Sequence, residues 1–311
     1  MFFKKTAKAV FTALALVGLA AGLSACGKTQ SSKTYTPKNL TVEFVPSRNA
    51  GKMEAKAKPL AQLMSKQLGI PVKVTIATDY NTIVEAMGSK KVDVGFLPPD
   101  AYVLAHKQYK AKTLLQAERY DYKGTTDELT NNLVNHYRSQ ILVRKDSGIN
   151  SIKDLKGKKI AVQDTTSTSG YIFPAVEMLD HGVNINKNGI KTVQVKGHDQ
   201  GILSVLNKNT DAAFVFQGAR HLVKKDDPQV MTDMKSIYTT KNIPNDTVTV
   251  RGDMSEKWQK KIATALKDIA KTKDGHQIIS ALYDHDGYTD SKDSNFDIIR
   301  EYDKKAEQLN K

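Results

Sequence analysis

From residue 40 onward, short runs of β-branched and apolar residues alternate with segments whose apolar positions recur every three or four residues. Period-two alternation reads as a half-buried strand, and a 3.6-residue period as an amphipathic helix. Residues 40–45 read as a strand. Over 58–68, Leu60, Leu63, Met64 and Leu68 share one helical face, and Gly69 with Pro71 ends the helix. Val72, Val74 and Ile76 alternate as a second strand, and a short helix follows through Ile83, Val84 and Met87. Residues 92–96 make a third strand, closed by Pro98 and Pro99 before a helix over 101–106.

A second series opens with a strand at 139–143 and a helical turn at 151–155, then continues through a strand at 159–162 and a helix at 169–179. A strand at 192–195, a helix at 200–206 and a strand at 212–216 complete it. Beyond lie a strand at 247–251 and helices at 255–269, 276–282 and 295–309. Strands alternating with helices predict an α/β fold with largely parallel sheets. Two such series followed by extra helices suggest two lobes, the second inserted into the first, with a cleft between them.

The first 39 residues follow another pattern. Lys4, Lys5 and Lys8 precede an apolar stretch at 9–21 and then Leu23, Ser24, Ala25 and Cys26, the order of parts in a secretory signal. The stretch is short for a transmembrane helix, which takes about 20 apolar residues. The last four residues resemble the bacterial lipobox, which implies a signal peptide over 1–25 and lipid, palmitate included, on Cys26. Residues 26–39 are polar without apolar periodicity and read as a flexible tether. Cys26 is the only cysteine, so once it is acylated no thiol is left for a disulfide, a metal or a nucleophile.

The formal charge of +14 falls to about +11 without the three signal lysines and is spread widely. Outside a cell such a surface meets anionic lipid and wall polymers, and no arginine-rich segment or series of stacking aromatics favours nucleic acid.

The densest candidate chemistry lies at 160–171. A strand ends near Gln163, five hydroxyl residues run from Thr165 to Ser169, and Gly170 precedes a helix carrying Ile172, Val176 and Leu179. Backbone N–H groups, hydroxyls and the positive end of a helix dipole at a strand's carboxyl edge suit a tetrahedral oxyanion. A plain Ser/Thr helix cap explains part of the same run. His198 and Asp199 stand at another strand edge, His198 as a donor to the anion and Asp199 as a cap. In the first series Asp79, Tyr80, Asn81 and Thr82 occupy the equivalent place, where Tyr80 offers a phenol. The Gly-x-Ser-x-Gly, His-Glu-x-x-His, phosphate-loop and dinucleotide motifs are all missing from the sequence. Ser167 or Ser169 with His198 leaves a hydrolytic triad open as an alternative, and seven scattered histidines show no metal-ligand spacing. No cofactor is expected.

Thr78 to Asn81 after a strand, Val92 to Pro98, Tyr137 before a strand, Ser167 to Gly170, Gly197 to Asp199 and Ile243 to Asp246 occur in that order. With these motifs the chain resembles the PhnD-like phosphate, phosphite and phosphonate solute-binding lipoproteins of ABC importers. The resemblance implies a type II periplasmic-binding fold, with lobe 1 over 40–138 and 241–311, lobe 2 over 139–240, and two hinge crossovers. It implies that Ser167, Thr168, Ser169, Tyr80, Tyr137 and His198 hold the oxyanion without a lysine or a metal. Members that take aminoalkyl phosphonates carry two carboxylates for the ammonium group. Here only Asp246 is acidic and the other position falls near Gln217, which points to phosphite, methylphosphonate or phosphate. A sulfonate or another anionic solute is the alternative cargo. The implied partners are a membrane permease and its ATPase, with the protein a lipid-anchored monomer on the outer face of the cell membrane of a single-membrane bacterium.

Overall fold

The computed structural model describes residues 34–311; the expected signal peptide, Cys26 and residues up to 33 lie outside the described residues. In chain order the first elements are β1 (Leu40–Phe44), α1 (Ala50–Leu68), β2 (Val72–Ile76), α2 (Tyr80–Gly88), β3 (Val94–Leu97) and α3 (Pro99–Tyr109). A long hairpin follows, β4 (Lys112–Tyr122) with β5 (Leu129–Val134), and then β6 (His136–Tyr137). The middle of the chain holds β7 (Ser139–Arg144), β8 (Lys159–Val162), α4 (Phe173–Asp180), β9 (Lys191–Gln194), α5 (His198–Leu206), β10 (Ala212–Phe216), α6 (Val230–Asp233) and β11 (Met234–Thr239). It closes with β12 (Ile243–Pro244), β13 (Thr247–Val250), α7 (Glu256–Lys271), α8 (Lys273–Tyr283), β14 (Gly287–Asp290) and α9 (Asp297–Ala306).

These strands build two main sheets, one per lobe. The first has the order β14-β4-β13-β3-β1-β2, with β5 on β4, and the second the order β11-β7-β10-β8-β9. Neither is largely parallel. β1 pairs parallel with β2 and β3, and β8 with β9 and β10, whereas β13, β4, β14, β7 and β11 pair antiparallel. The reason is connectivity. The chain passes from one sheet to the other beside β6 and returns beside β12, which pair antiparallel with Tyr137 opposite Ile243. The hairpin β4–β5 and strands β11 and β14 were not anticipated, although Leu115, Ala117 and Arg119 face inward at period two along β4.

Helix α1 starts eight residues before its expected beginning because Asn49 caps it, accepting from Lys52 N at 3.0 Å. Pro59 removes one helical donor, but Met53, Ala57, Leu60, Met64 and Leu68 keep one buried stripe across it. Two departures concern the chain ends. Tyr35, in the expected tether, forms a bridge with Met254 and lies under the Arg251 guanidinium, 3.9 Å from its ring centroid, a cation–π contact that holds the segment against the first lobe. At the other end Tyr302 of α9 stacks on Phe173 at 3.8 Å, and Leu309 is buried in the core on one face of the second sheet. The terminal helix, expected with the first lobe, thus packs its far end on the second. Among the described residues no helix is long and apolar enough to cross a membrane.

Candidate functional site

The hydroxyl run folds into a tight loop at the carboxyl end of β8. Ser167 caps the next turn by accepting from Gly170 N at 3.2 Å, and residues Thr168–Ile172 form a wide π-type turn that leads into α4. Gly170 serves packing more than ligand approach. A Cβ there would meet Gln163 Cγ at 2.1 Å, so only glycine lets this turn rest on that side chain. The Gln163 amide in turn ties down the second loop, donating to Gly197 O at 3.1 Å and accepting from Gly197 N at 3.0 Å. Gly197 adopts φ +97°, where its would-be Cβ would strike the Arg48 backbone at 2.9 Å. His198 opens α5, and its backbone N–H donates to Ser47 O of the other lobe at 2.9 Å.

Between the sheets these loops enclose a cavity of about 30 Å³ whose walls include Ser47, Arg48, Tyr80, Arg119, Tyr137, Ser167, Ser169, His198 and Asp246. One water takes about 10–15 Å³ on this measure, so the space suits a group of a few heavy atoms. Six of the eight residues singled out in the sequence meet here: Tyr80, Tyr137, Ser167, Ser169, His198 and Asp246. Thr168 and Gln217 do not line it. Thr168 Oγ1 accepts from Asp100 N at the start of α3, 3.1 Å away, and joins the lobes. Gln217 Nε2 turns to the tip of the β4–β5 hairpin, donating to Gly124 O at 3.0 Å and Thr126 O at 2.6 Å.

Sequence reading missed Ser47, Arg48, Arg119, Phe216, Tyr283 and Asp284, which with Pro98 complete the walls. Arg119 and Arg48 bring positive charge where none was expected. The signal for Arg119 was its place on an unrecognised strand; for Arg48, only the polar turn after β1. Asp246 lies 3.8 Å from Arg119 and 3.6 Å from His285, and Asp284 lies 2.7 Å from Arg48. Both carboxylates of the cavity therefore have cationic or imidazole partners. Burial pushes Asp284 up, but Arg48 and Arg119 hold it below the usual carboxylate range.

With those charges balanced, the free valences of the cavity are hydrogen bonds. Ser47 Oγ, Arg48 Nε, Arg119 Nε and His198 Nδ1 are buried and have no partner. Buried polar groups are nearly always paired, and each orphan costs about 1–3 kcal/mol. The phenols of Tyr80 and Tyr137 stay protonated, because burial above all pushes both well above their ordinary values; the Ser167 hydroxyl pulls Tyr80 back more than Asp246 raises it, and at Tyr137 Asp246 adds to the rise while Arg119 and then Ser169 oppose it. Burial, helped by Arg48 and Arg119, pushes His198 down to about 3. Its ring is neutral and leans edge-on against Phe216, centroids 4.9 Å apart. Ser167 is engaged as a cap, and neither it nor Ser169 is hydrogen-bonded to the imidazole among the contacts of the described residues, so the geometry resembles an anion cradle more than an activated nucleophile. Among the described residues no group of His, Cys, Asp and Glu is arranged to hold a metal ion.

The comparisons with known proteins agree with this geometry. Residues 42–296 match the family model of ABC transporter, phosphonate, periplasmic substrate-binding proteins. The chain is 32% identical over 220 residues to the phosphate-import protein PhnD of Mycolicibacterium smegmatis, covering 67% of this chain and 64% of that one. It is 26% identical to the phosphonates-binding periplasmic protein of Escherichia coli, covering 79% and 70% of the two chains. Its fold is similar to that of PhnD1 from Prochlorococcus marinus, solved with methylphosphonate, at a TM-score of 0.75 and 21% identity over 88% of this chain and 99% of that one. A binding component of a phosphonate transporter from Pseudomonas aeruginosa superimposes at 0.77, with 21% identity and 88% of each chain covered. Two α/β lobes joined by paired crossovers around a polar cleft, together with the match over 42–296, make this chain a member of the phosphonate substrate-binding family of ABC transporters, with the type II periplasmic-binding fold.

Proposed function

We propose that the protein captures a small phosphorus oxyanion in the cavity between its sheets and hands it to an ABC permease. The observation that carries this reading is the set of unpartnered buried polar atoms, Ser47 Oγ, Arg48 Nε, Arg119 Nε and His198 Nδ1, around one space the size of a tetrahedral ion. An anion entering there gives each of them a partner, and the energy recovered offsets dehydration of the ion. Ser167 and Ser169 approach it from the second lobe, Tyr80 from the first, and Tyr137 from the crossover. The neutral His198 imidazole offers its unpartnered Nδ1 to a ligand oxygen.

The lobes close over the ligand because its contacts are complete only in the closed form. The crossovers β6 and β12 are the hinge, and the lobe boundaries fall at about 138 and 241. The preference is for phosphite, methylphosphonate or phosphate over an aminoalkyl phosphonate, since Asp246 and Asp284 are already paired and Gln217 faces away. Calorimetric titration of the purified protein with phosphate, phosphite, methylphosphonate and 2-aminoethylphosphonate tests this. Binding of at least one of the first three, with the aminated ligand weaker, is expected; heat from none of them sinks the proposal.

The protein works as a monomer held at the outer face of a single-membrane bacterium by lipid on Cys26. Labelled palmitate incorporated in the native protein and lost in Cys26→Ala is the expected result, and equal labelling of both would reject the anchor.

A further inference from the structure

Tyr35, the start of the first lobe, lies on the edge of its sheet away from the cavity. Its N–H donates to Asp253 O at 2.7 Å and its carbonyl accepts from Ser255 N at 2.9 Å, just past the end of β13. There Val250 faces Val94 at the start of β3 and Lys112 at the start of β4, whereas the cavity residues Tyr80, Pro98 and Asp246 stand beyond the opposite ends of β2, β3 and β13. Around Tyr35 this edge is ringed with lysines. Lys38, Lys90, Lys91, Lys110, Lys112 and Lys257 are all exposed. Contacts tie their segments together: Arg251 N donates to Asp93 O at 3.1 Å, Lys90 Nζ lies 3.0 Å from Asp253, and the Lys110 carbonyl packs so closely on Gly252 that no side chain fits there. Charge is neutralised only in the inner group, where Arg251 holds Asp93 at 3.2 Å and Asp253 at 2.7 Å. Among the described residues the other five lysines enter no ion pair, and Glu256 is the acidic residue that opens α7 beside them.

We infer that this lysine edge docks the first lobe on a bilayer of anionic lipid. Two observations favour a membrane as the partner. The cations surround the point where the tether enters, and lipid on Cys26, nine positions before Tyr35, would hold the edge within about 30 Å of a bilayer even with the connection fully extended. Each lysine near an anionic surface adds to the attraction, and a polybasic patch beside a lipid chain makes a firmer hold than the chain alone. The large apolar side chains that are exposed, Tyr120, Leu129, Leu133 and Val193, lie elsewhere, so the contact is electrostatic and yields to salt. Strands β3 and β13 run from this edge to the cavity, so the docked protein turns its cleft away from the lipid, open to arriving solute. Docking does not depend on which oxyanion the cleft takes.

Sedimentation with vesicles tests this, using the full chain with Cys26→Ala so that no acyl group contributes. Vesicles of phosphatidylcholine alone are compared with vesicles that also contain phosphatidylglycerol. Partition onto the anionic vesicles is expected to be at least tenfold stronger, and to fall to the neutral level in high salt. Changing Lys38, Lys91, Lys112 and Lys257 together to Gln should weaken anionic partition at least fivefold. The same change at Lys153, Lys156, Lys187 and Lys191, four exposed lysines of the second lobe, removes equal charge and should weaken it less than twofold. Equal losses in the two sets would show an effect of net charge alone and overturn the proposal, as would anionic partition that neither set changes. If the first four lysines bind soluble polyphosphate while the anionic vesicles are ignored, the partner is a polymer and the bilayer is rejected. Methylphosphonate affinity should be unmoved in both sets; its absence from every protein, wild type included, would count against the oxyanion reading and leave the vesicle result to judge the docking.

Discussion

Two buried glutamines, Gln163 and Gln217, stand at the same kind of place, just beyond the carboxyl ends of neighbouring parallel strands β8 and β10, and each is 2% exposed. Their partners make them different devices. Gln163 closes a two-bond clamp on Gly197, 34 residues on, and so joins the hydroxyl loop to the His198 loop. Gln217 reaches back more than 90 residues to the hairpin tip, where Gln140 and Arg220 grip the same turn through Thr125 O at 3.0 Å and Asp127 Oδ2 at 2.7 Å. One region shapes the ligand's cradle, and the other fastens a strap from the first lobe onto the second. Residue type and strand position are alike, so the division of labour comes from what each side chain meets across the fold.

If that division is right, damage to the strap should cost stability and damage to the clamp should cost binding. The largest stability loss is expected from Arg220→Met. Asp127 is 3% exposed on its side chain, and stranding a buried carboxylate costs about 3–5 kcal/mol. Denaturant midpoints should show it, with methylphosphonate affinity in the folded fraction changed less than tenfold. Gln163→Leu leaves the Gly197 N–H without a partner and takes one of two donors from its carbonyl, which still accepts from Gly201 N at 3.3 Å; it should cost about 2 kcal/mol and in addition weaken ligand binding at least a hundredfold, and calorimetry showing unchanged affinity would erase the contrast.

The clamp side also carries a pH signature. The folded pKa of His198 lies below the unfolded value near 6.5, so the unfolded chain takes up the proton first and stability falls as pH drops from about 6.5 towards about 3. At pH 5 the loss is about 2 kcal/mol, and His198→Asn should flatten that part of the profile measured on ligand-free protein. The smallest effect belongs to Gln217→Leu. Gly124 and Thr126 are exposed, water can replace the lost amide, and a cost of about 1 kcal/mol with ligand affinity unchanged is expected.

Much of this was legible from the sequence because the relevant signals are local. Strands 212–216 and 159–162 and the buried faces of α1, α5 and α7 follow from apolar periodicity within each segment, and the Thr165–Ser169 run announces a polar strand edge wherever it folds. The arginines of the cavity were not legible. Arg119 sits in a strand whose outward positions are polar and aromatic, and Arg48 in the five-residue connection between β1 and α1, so neither carries a pattern that tells a surface cation from a buried one. Gln217 and Thr168 show the converse. Both lie in segments that do approach the cleft, but a rotation of one residue sends Gln217 to the hairpin and Thr168 to Asp100. Long-range partners of this kind are properties of the assembled fold.

The central claim is that orphaned polar atoms around one cavity are completed by a phosphorus oxyanion. Phosphorus-31 NMR of phosphate, phosphite and methylphosphonate, each with the wild type and with a Ser47→Ala, Ser169→Ala double variant, reads that most directly. A distinct bound resonance in slow exchange is predicted for the wild type with at least one of the three ions, lost or moved to fast exchange in the double variant. A bound resonance that persists unchanged in the variant, or that never appears with any of the three, would contradict the account.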